Sequence, residues 1–451
     1  MEKVVKVITY GTYDMLHRGH IRLLERAREL GNYLIVGVTS DDYDQARGKI
    51  NNQQSLIERI QAVRDTGLAD EIIVEEYEGQ KIDDIRRNNV DIFTVGSDWI
   101  GKFDYLNEYC KVVYLNRTEG VSSTKIRSKE REIRIGLMGN EEARVLKKYC
   151  DEFTFVNGAN VVGLCTKNNR ILEELNGKVN HITDDYDALL DDCDAVYIIS
   201  HPKKHYEQIK RALLKGKHIL VEAPVALSKL ECEELFHIAS NNHLILMEAI
   251  KTAYATAYNR LLLLVKSGKI GRIVSIDSVC TSIQDIYTNR DEIWNSITAW
   301  GPTGLLPVFQ ILGTQYNDAY LTSLFVDETH KIDAFTKIDL FYNSATASIK
   351  VGRGVKSEGE LIIAGIDGYI YVPAPWWKTD YFEVRFENEG NNERYFYQLD
   401  GEGIRYEILA FVKAIQKNKK DYYTYIDNDV SKAIAGIMEQ FYAGKLRRLS
   451  R

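Results

Sequence analysis

The stretch ITYGTYDMLHRGH, residues 8–20, stands where a buried strand, Val4–Tyr10, gives way to an amphipathic helix, His20–Leu30. In open α/β sheets this edge binds phosphorylated ligands, because the N–H groups of the first helical turn face an anion there. His17 and His20 bring two imidazoles to this point, and the glycine between them lets a phosphate approach closely. A histidine pair alone is also compatible with metal binding or capping. The complete strand–GTYD–H-x-G-H–helix pattern predicts a phosphate site.

The pattern around this stretch predicts a parallel, doubly wound sheet, since strand and helix signals alternate over the first 130 residues. The further predicted strands are Tyr33–Val38, Glu71–Val74, Ile92–Val95 and Val112–Leu115. The further predicted helices are Gln54–Asp65, Lys81–Asn88 and Ser123–Glu132.

A second alternation starts after the polar run at residues 128–132 and predicts another Rossmann-type unit. Its predicted strands are Ile133–Met138, Val161–Cys165, Ala195–Ile199, His218–Val221 and Leu244–Met247, and its helices are His205–Lys215 and Leu230–Ser240. From about Ile273 the pattern changes to long β-like runs followed by helices, which predicts an α+β unit with a large mixed or antiparallel sheet. These runs are Ile332–Val351, Glu360–Val372 and Tyr381–Tyr397, and the helices are Ile404–Gln416 and Val430–Tyr442. We therefore expect an α/β chain with domains at 1–130, 131–253 and 254–451.

Composition excludes several classes of function. The 451 residues carry 58 Lys+Arg and 65 Asp+Glu, a net charge of −7, which argues against a general nucleic-acid binder. The six cysteines form no C-x-x-C pair, so we expect neither a zinc site nor a disulfide framework. The longest apolar stretch, Leu261–Val265, is too short to cross a bilayer, and no signal layout is visible at the N-terminus. We expect a cytoplasmic protein without membrane insertion.

Residues 1–127 resemble the glycerol-3-phosphate cytidylyltransferases, within the nucleotidyltransferase superfamily that carries H-x-G-H. The supporting segments are LLERARELG at residues 23–31, VGSDWIGKF at 95–103 and RTEGVSSTKIR at 117–127. The resemblance implies transfer of a cytidylyl group from CTP to a small polyol phosphate, most of all glycerol phosphate, with Mg²⁺ on the leaving pyrophosphate. The CDP-glycerol so formed would serve bacterial surface polymers such as teichoic acids or capsular polysaccharides.

The same resemblance implies roles for individual residues. His17, His20, Lys49 and Arg117 would be catalytic. The nucleotide-binding set would be Thr9, Tyr10, Gly11, Thr12, Asp14, Arg47, Arg59, Asp98, Thr118, Ser122 and Ser123. Within it, Arg59 would grip phosphate and Asp14 would position the nucleotide or metal. The departures from the family pattern are Arg47 for a lysine, Ser97 for an aspartate, Gly67 for an arginine and Ser123 for a threonine.

Residues 131–445 resemble the glucose-fructose oxidoreductase and inositol dehydrogenase family, notably at Asp194–Pro224, Gly268–Ile273 and Gly368–Trp377. The functional positions depart from that family. Of the dinucleotide glycine motif only Gly139 fits well, with Glu141 where the second glycine belongs. The further departures are Thr166-Lys167 for the acidic ribose ligand, Glu222-Ala223-Pro224 for the E-K-P lysine motif, and Val308 and Leu312 for an aspartate and a histidine.

Three interpretations of the whole chain stay open. The second half is either a degenerate oxidoreductase retained for dimerisation, stability or regulation, or an active NAD(P) reductase that makes the enzyme bifunctional. In the active form Lys251, His201 or His205 could supply the proton. The third interpretation is a non-catalytic nucleotide-binding scaffold. Both families commonly associate, so we expect a homo-oligomer, most simply a dimer.

Overall fold

The computed structural model of the chain describes residues 4–46, 54–77, 79–116, 132–139, 143–156, 158–168, 171, 179, 181–284, 294–397, 399, 401–416 and 425–449. The chain divides into two compact units, residues 1–131 and 132–451. Within the second unit, the predicted domain boundary near residue 253 stays a prediction.

The first unit contains a five-stranded parallel sheet in the order β3-β2-β1-β4-β5. Its strands are β1 Lys6–Gly11, β2 Tyr33–Thr39, β3 Glu71–Glu75, β4 Ile92–Gly96 and β5 Lys111–Leu115. Its described helices are α1 Arg18–Arg28, α2 Asp41–Ala46, α3 Leu56–Asp65 and α4 Gln80–Asn88. The parallel, doubly wound sheet is therefore confirmed, and the predicted helix Ser123–Glu132 lies outside the described residues.

The central strand β1 is buried on both faces, as a strand between two helical layers must be. Val7 packs with Leu24 of α1 on one face, and Ile8 packs with Phe93 on the other. Consecutive side chains of a strand point to opposite faces, so Val7 and Ile8 pack on different sides of the sheet. Both residues are fully buried because both faces are covered. This packing fixes the carboxyl end of β1, where the ITYGTYD stretch leaves the sheet.

The second unit begins with a six-stranded parallel sheet in the order β11-β10-β9-β6-β7-β8, a Rossmann-type order. Its strands are β6 Ile133–Met138, β7 Ala159–Cys165, β8 His181–Thr183, β9 Ala195–Ile198, β10 His218–Glu222 and β11 Leu246–Ala249. The helices around it are α5 Ala143–Phe153, α6 Tyr186–Asp192, α7 His205–Leu214 and α8 Lys229–Asn241. The sequence predicts five of these strands but not β8, whose three residues are too few to show an alternating pattern.

A ten-stranded mixed sheet completes the second unit, in the order β20-β19-β18-β17-β12-β15-β14-β13-β21, with β16 paired to β12. Its strands are β12 Ile273–Ile283, β13 Asp318–Asp327, β14 Ile332–Phe341, β15 Thr346–Gly352, β16 Gly354–Val355, β17 Leu361–Gly365, β18 Tyr369–Val372, β19 Tyr381–Arg385, β20 Glu393–Phe396 and β21 Arg447–Arg448. The accompanying helices are α9 Lys251–Tyr254, α10 Thr256–Lys266, α11 Ser296–Leu312, α12 Ile404–Gln416 and α13 Asn428–Tyr442. The mixed sheet is confirmed, although each long predicted run is a pair or group of shorter strands.

All six cysteines are free thiols. None of the helices within the described ranges combines the length and the apolar character that a membrane span needs.

Candidate active site

Two stacked imidazoles mark the start of α1. The rings of His17 and His20 lie with their centroids 3.9 Å apart and their planes 20° apart, and both residues are half-buried. His17 caps the helix, since its Nδ1 accepts a hydrogen bond from the backbone N–H of Gly19 at 3.0 Å. A neutral ring that accepts at Nδ1 carries its proton on Nε2. His17 can therefore offer an N–H donor to a ligand at the helix N-terminus.

The loop between β1 and α1 is held in a strained shape. Tyr13 and Met15 have φ angles of 54° and 46°, in the left-handed region that such side chains rarely adopt. Gln54 locks this loop, because its side-chain oxygen accepts from Met15 N–H at 2.7 Å and its own N–H donates to Asp14 at 3.0 Å. The ring of Tyr13 then meets the edge of His20, with centroids 5.6 Å apart. The loop that carries the histidine pair is thus held in one conformation by its own contacts.

Arg59 is completely buried and joins three segments of the first unit. Its Nη1 donates to the carbonyls of Thr12 at 2.7 Å and Thr39 at 2.8 Å, and its Nε donates to the carbonyl of Gln54 at 3.2 Å. Its Nη2 pairs with Asp41. These contacts show that Arg59 positions the surrounding loop segments, and its predicted grip on a phosphate stays a prediction.

The predicted residues Thr9, Tyr10 and Gly11 end β1, and Thr12 follows the strand. Thr9 is buried, and the hydroxyl of Tyr10 donates to Asp84 at 2.9 Å; burial, together with the charge of Asp84, raises the pKa of Tyr10. A Cβ at Gly11 would lie 3.0 Å from the Tyr13 ring, so a larger residue there would press on that ring. Thr12 donates to Asp44 at 3.1 Å.

Several predicted site residues lie outside the described part of the chain. They are Arg47, Lys49, Arg117, Thr118, Ser122, Ser123 and the side chain of Asp98. Their roles stay predictions.

A buried cation that the sequence does not indicate, Lys81, lies near the carboxyl ends of β1 and β3. Lys81 forms an ion pair with Glu75 and lies 4.7 Å from the ring centre of Tyr10 and 5.5 Å from that of Phe103. A single lysine at the start of a predicted helix carries no sequence signal of burial. Only the packing of α4 on the sheet reveals it.

In the second unit, the carboxyl ends of β6 and β7 have features that fit a dinucleotide. Gly139 follows β6 directly, and a Cβ there would lie 3.4 Å from Ile199, in ordinary van der Waals contact with it. Thr166 is buried after β7, with its N–H donating to Thr183 at 2.9 Å, whereas Lys167 is exposed. A cation at this position suits a ribose 2′-phosphate. Glu141 lies outside the described residues.

The two histidines predicted for this unit have different surroundings. His205 is fully buried between the carbonyls of Pro224 at 2.8 Å and Ser200 at 2.6 Å, and burial lowers its pKa to about 4. Both ring nitrogens thus serve internal contacts, which disfavours a role as proton donor to a ligand. His201 caps the turn that follows β9, with its Nδ1 accepting from Lys203 N–H at 3.2 Å, and its ring meets the edge of Trp294.

Glu222 and Lys251, also predicted, lie at the same edge as Gly139. Glu222 ends β10 and accepts hydrogen bonds from the hydroxyls of Tyr149 and Tyr197. The Tyr197 hydroxyl also lies 2.8 Å from Glu407, a buried residue of α12 that the sequence analysis missed because it follows Tyr197 by 210 positions. Lys251 begins α9, and its charge acts on Glu407.

Two family models match the chain. Residues 8–129 match the Cytidylyltransferase-like family, and residues 133–250 match the oxidoreductase family with an NAD-binding Rossmann fold. Through its first unit the chain belongs to the cytidylyltransferase-like family, fused here to an oxidoreductase-family unit.

Within that family the first unit is similar to glycerol-3-phosphate cytidylyltransferases over nearly their whole length. The Bacillus spizizenii enzyme is 48% identical over 122 residues, which are 27% of this chain and 94% of the relative. The Staphylococcus aureus enzyme is 47% identical over 127 residues, 27% of this chain and 92% of the relative.

The second unit shares its fold with KijD10, a 3-ketoreductase from Actinomadura kijaniata whose structure was solved with NADP and TDP-benzene. The TM-score is 0.61 at 19% identity, over 70% of this chain and 99% of KijD10. This likeness shows the fold of the second unit.

Proposed function

We propose that the first unit transfers a cytidylyl group from CTP to a small polyol phosphate, glycerol phosphate above all, and releases pyrophosphate. The observation that carries this proposal is the stacked pair His17 and His20 at the N-terminus of α1, on a loop locked by Gln54 and Arg59. The near-complete similarity to glycerol-3-phosphate cytidylyltransferases supports the choice of substrates.

The chemistry is an in-line displacement at phosphorus. A phosphate oxygen of the acceptor attacks the α-phosphorus of CTP, the new P–O bond forms, and the bond to the pyrophosphate oxygen breaks. The protein contributes positioning and charge stabilisation, since such transfers need little covalent help. His17 and His20 would donate to phosphate oxygens beside the helix N-terminus. Lys49, Arg47 and Arg117 would neutralise the triphosphate.

Magnesium fits this site. Asp14 is nearly buried, and its carboxylate is oriented by Gln54 in the same loop as the histidines. No cluster of three metal-ligating side chains occurs within the described ranges. Mg²⁺ is usually held by one or two carboxylates together with substrate phosphates, so Asp14 suffices as the protein ligand. The ion would neutralise charge on the departing pyrophosphate.

The deciding experiment is a substrate panel with pyrophosphate release as the readout. The four nucleoside triphosphates are each combined with glycerol 3-phosphate and other polyol phosphates. We expect release with CTP and glycerol 3-phosphate, and its loss in His20→Ala. CTP binding without any release would favour the scaffold interpretation and contradict the proposal.

A second candidate function belongs to the second unit: reduction of a carbonyl precursor with NAD(P)H. The Rossmann strand order, the glycine directly after β6 at residue 139 and the exposed Lys167 favour it. Titration with NADPH and NADH, followed by nicotinamide fluorescence, tests it. No binding at millimolar dinucleotide would end this candidate.

For the whole chain we propose a cytoplasmic dimer that supplies CDP-glycerol for bacterial surface polymers. The similarity to glycerol-3-phosphate cytidylyltransferases supports the product, and the broad ten-stranded sheet offers a face for self-association. Sedimentation equilibrium tests the dimer, with a monomer at micromolar concentration as the contrary result.

A further inference from the structure

The six-stranded sheet of the second unit carries an unusual group of acids and tyrosines at its ligand-binding edge. Ligands of such sheets bind beyond the carboxyl ends of the strands. Glu222 is the last residue of β10, and Lys251 follows β11 by two positions. Both side chains are half-buried, so each has one side open to solvent or to a ligand.

Two tyrosines hold Glu222 in a fixed orientation. The Tyr149 hydroxyl donates to Oε1 of Glu222, and the Tyr197 hydroxyl lies 2.8 Å from the same oxygen. The two rings meet edge to face with centroids 5.0 Å apart. The Tyr197 hydroxyl also lies 2.8 Å from Oε1 of Glu407, so it links the two carboxyl groups.

Counting protons shows that this link needs a protonated acid. A tyrosine hydroxyl has one proton and can donate to only one of two carboxylates. Glu407 is completely buried, and burial raises its pKa well above the usual range, with the charge of Glu222 adding to the effect. Glu407 therefore keeps its proton and donates it to Tyr197, while Tyr197 donates to Glu222. Oε2 of Glu407 has no hydrogen-bond partner among the described residues, which a neutral acid tolerates better than a carboxylate.

A purely structural role explains this arrangement poorly. Glu248, another buried glutamate of the same unit, has both oxygens satisfied, one by Val225 N–H and one by the Ser431 hydroxyl. By contrast, Glu222 and Glu407 share a single hydroxyl, that of Tyr197. Well-packed apolar side chains in place of buried charged groups often make a folded protein more stable. A buried acid with a strongly raised pKa, such as Glu407, that is linked through one hydroxyl to a carboxylate at a ligand edge is typical of functional sites.

We propose that the second unit carries an acid–base site in which Glu222 exchanges a proton with a hydroxyl or carbonyl group of a ligand, and Tyr197 connects Glu222 to a proton held on Glu407. Lys251 makes no hydrogen bond or ion pair with the residues the structure describes, although its charge reaches Glu407. A half-buried cation of this kind selects an anionic substituent. The ligand class is therefore a hydroxyl compound with an anionic substituent such as a phosphate, or its carbonyl counterpart. This inference deepens the second candidate function and rests on it.

The proton steps balance in both directions. In oxidation, the ligand's hydroxyl proton passes to the Glu222 carboxylate while its C–H hydride leaves, and the C–O bond becomes C=O. In reduction, Tyr197 passes its hydroxyl proton to the Glu222 carboxylate and takes the proton of Glu407, and Glu222 then gives the proton it received to the carbonyl oxygen, so that Glu407 ends as the carboxylate. A bound nicotinamide dinucleotide would accept or supply the hydride.

The first test needs no ligand. Infrared spectra of the full chain near neutral pH are compared for the wild type, Glu407→Gln and the control Glu234→Gln. Glu234 accepts from the Tyr206 hydroxyl at 2.8 Å on the surface, so its variant removes the same type of hydrogen bond elsewhere. Glu248, whose raised pKa of about 7 leaves it partly protonated near neutral pH, contributes equally to all three spectra and cancels in their differences. We expect Glu407→Gln to lose a protonated-carboxyl component that the wild type and Glu234→Gln both retain. A Glu407→Gln spectrum that matches the wild type overturns the proposed proton store.

The second test uses NADPH and dihydroxyacetone phosphate, the ketone related to glycerol phosphate, with circular dichroism as the check on folding. We expect kcat to fall by about 10²-fold or more in Glu222→Gln, the usual contribution of a general acid. Tyr197→Phe should displace the pH profile, and Lys251→Met should raise KM more than it lowers kcat. Glu234→Gln should resemble the wild type.

The outcomes separate this inference from the other proposals. Absence of NADPH binding or oxidation in the wild type overturns both the acid–base site and the second candidate function. NADPH oxidation that Glu222→Gln leaves unchanged overturns the acid–base site alone. Pyrophosphate release from CTP, measured on the wild type, decides the first unit's function independently.

Discussion

The ring of His17 lies flat against that of His20, 3.9 Å away, at the first turn of α1. Residues three positions apart at the start of a helix lie on the same face of that helix, as His17 and His20 do. The hydrogen bond by which His17 caps α1 fixes the orientation of its ring. The pair is therefore a single rigid donor surface, and loss of either ring should affect the same step.

Replacing either histidine should reduce the rate of pyrophosphate release. We expect His17→Ala and His20→Ala each to lower kcat by about 10²- to 10³-fold, the usual cost of one preorganised donor to a developing charge. His237→Ala, at an exposed histidine of α8, should keep the wild-type rate. Steady-state assays with CTP and glycerol 3-phosphate measure these effects. Near-normal turnover in both active-site variants would contradict the assigned role.

Arg59→Met should act on stability before it acts on nucleotide binding. The change removes hydrogen bonds to three backbone carbonyls. It also takes away the cation 3.8 Å from the buried carboxylate of Asp44, so we expect a loss of about 3 kcal/mol or more in the first unit. Arg64→Met, at an exposed position of the same helix, should cost at most about 0.5 kcal/mol. Urea unfolding with hydrogen exchange of first-unit peptides measures both. Unchanged stability with lost CTP affinity would instead indicate a direct phosphate contact.

Lys81 and Glu75 should be strongly coupled. Lys81→Met leaves a buried carboxylate without its cation, which typically costs about 3–5 kcal/mol. Glu75→Gln in the same chain removes that charge, so the double variant should be more stable than Lys81→Met alone. Urea unfolding of the two single variants and the double variant completes the cycle. Additive losses would show that the pair does not interact.

Glu248 should make the second unit less stable as the pH rises. Burial raises the pKa of this carboxyl from 4.5 to about 7, against the hydrogen bonds from Ser431 and Val225 that lower it. Between these values the folded chain holds a proton that the unfolded chain has lost, so stability falls with rising pH and levels off above about 7. The total fall is about 3 kcal/mol.

Glu248→Gln should remove this part of the pH dependence. Chemical denaturation of the full chain at a series of pH values, followed by hydrogen exchange in the second unit, measures it. Glu389→Gln, in an exposed turn, serves as the matched control. A stability profile in Glu248→Gln with the same slope as the wild type between pH 5 and 7 would refute the assignment.

The fold was largely predictable because local patterns decide its elements. Alternating strand and helix signals require parallel sheets, and the helix Ile404–Gln416 has the bounds that the sequence predicts. The long run Ile332–Val351 could not be divided correctly, since β14 and β15 are joined by a short turn around Asn343 within one apolar pattern.

The candidate sites were predictable only where one segment supplies the chemistry. His17 and His20 lie within one motif. The sequence shows only that Arg59 is charged, and its hydrogen bonds to backbone carbonyls become visible only in the fold. The link from Glu222 through Tyr197 to Glu407 joins three distant segments, and no local spacing indicates it.

Tyr13 and Met15 occupy left-handed backbone conformations before any nucleotide arrives. The hydrogen bonds of Gln54 and Arg59, which form when the chain folds, therefore offset the unfavourable torsion energy of this turn. Binding of CTP does not have to supply that energy. CTP should therefore bind to a turn that already has its final conformation. We expect diffusion-limited association in a single kinetic phase, without a slow rearrangement of this turn before the productive complex forms.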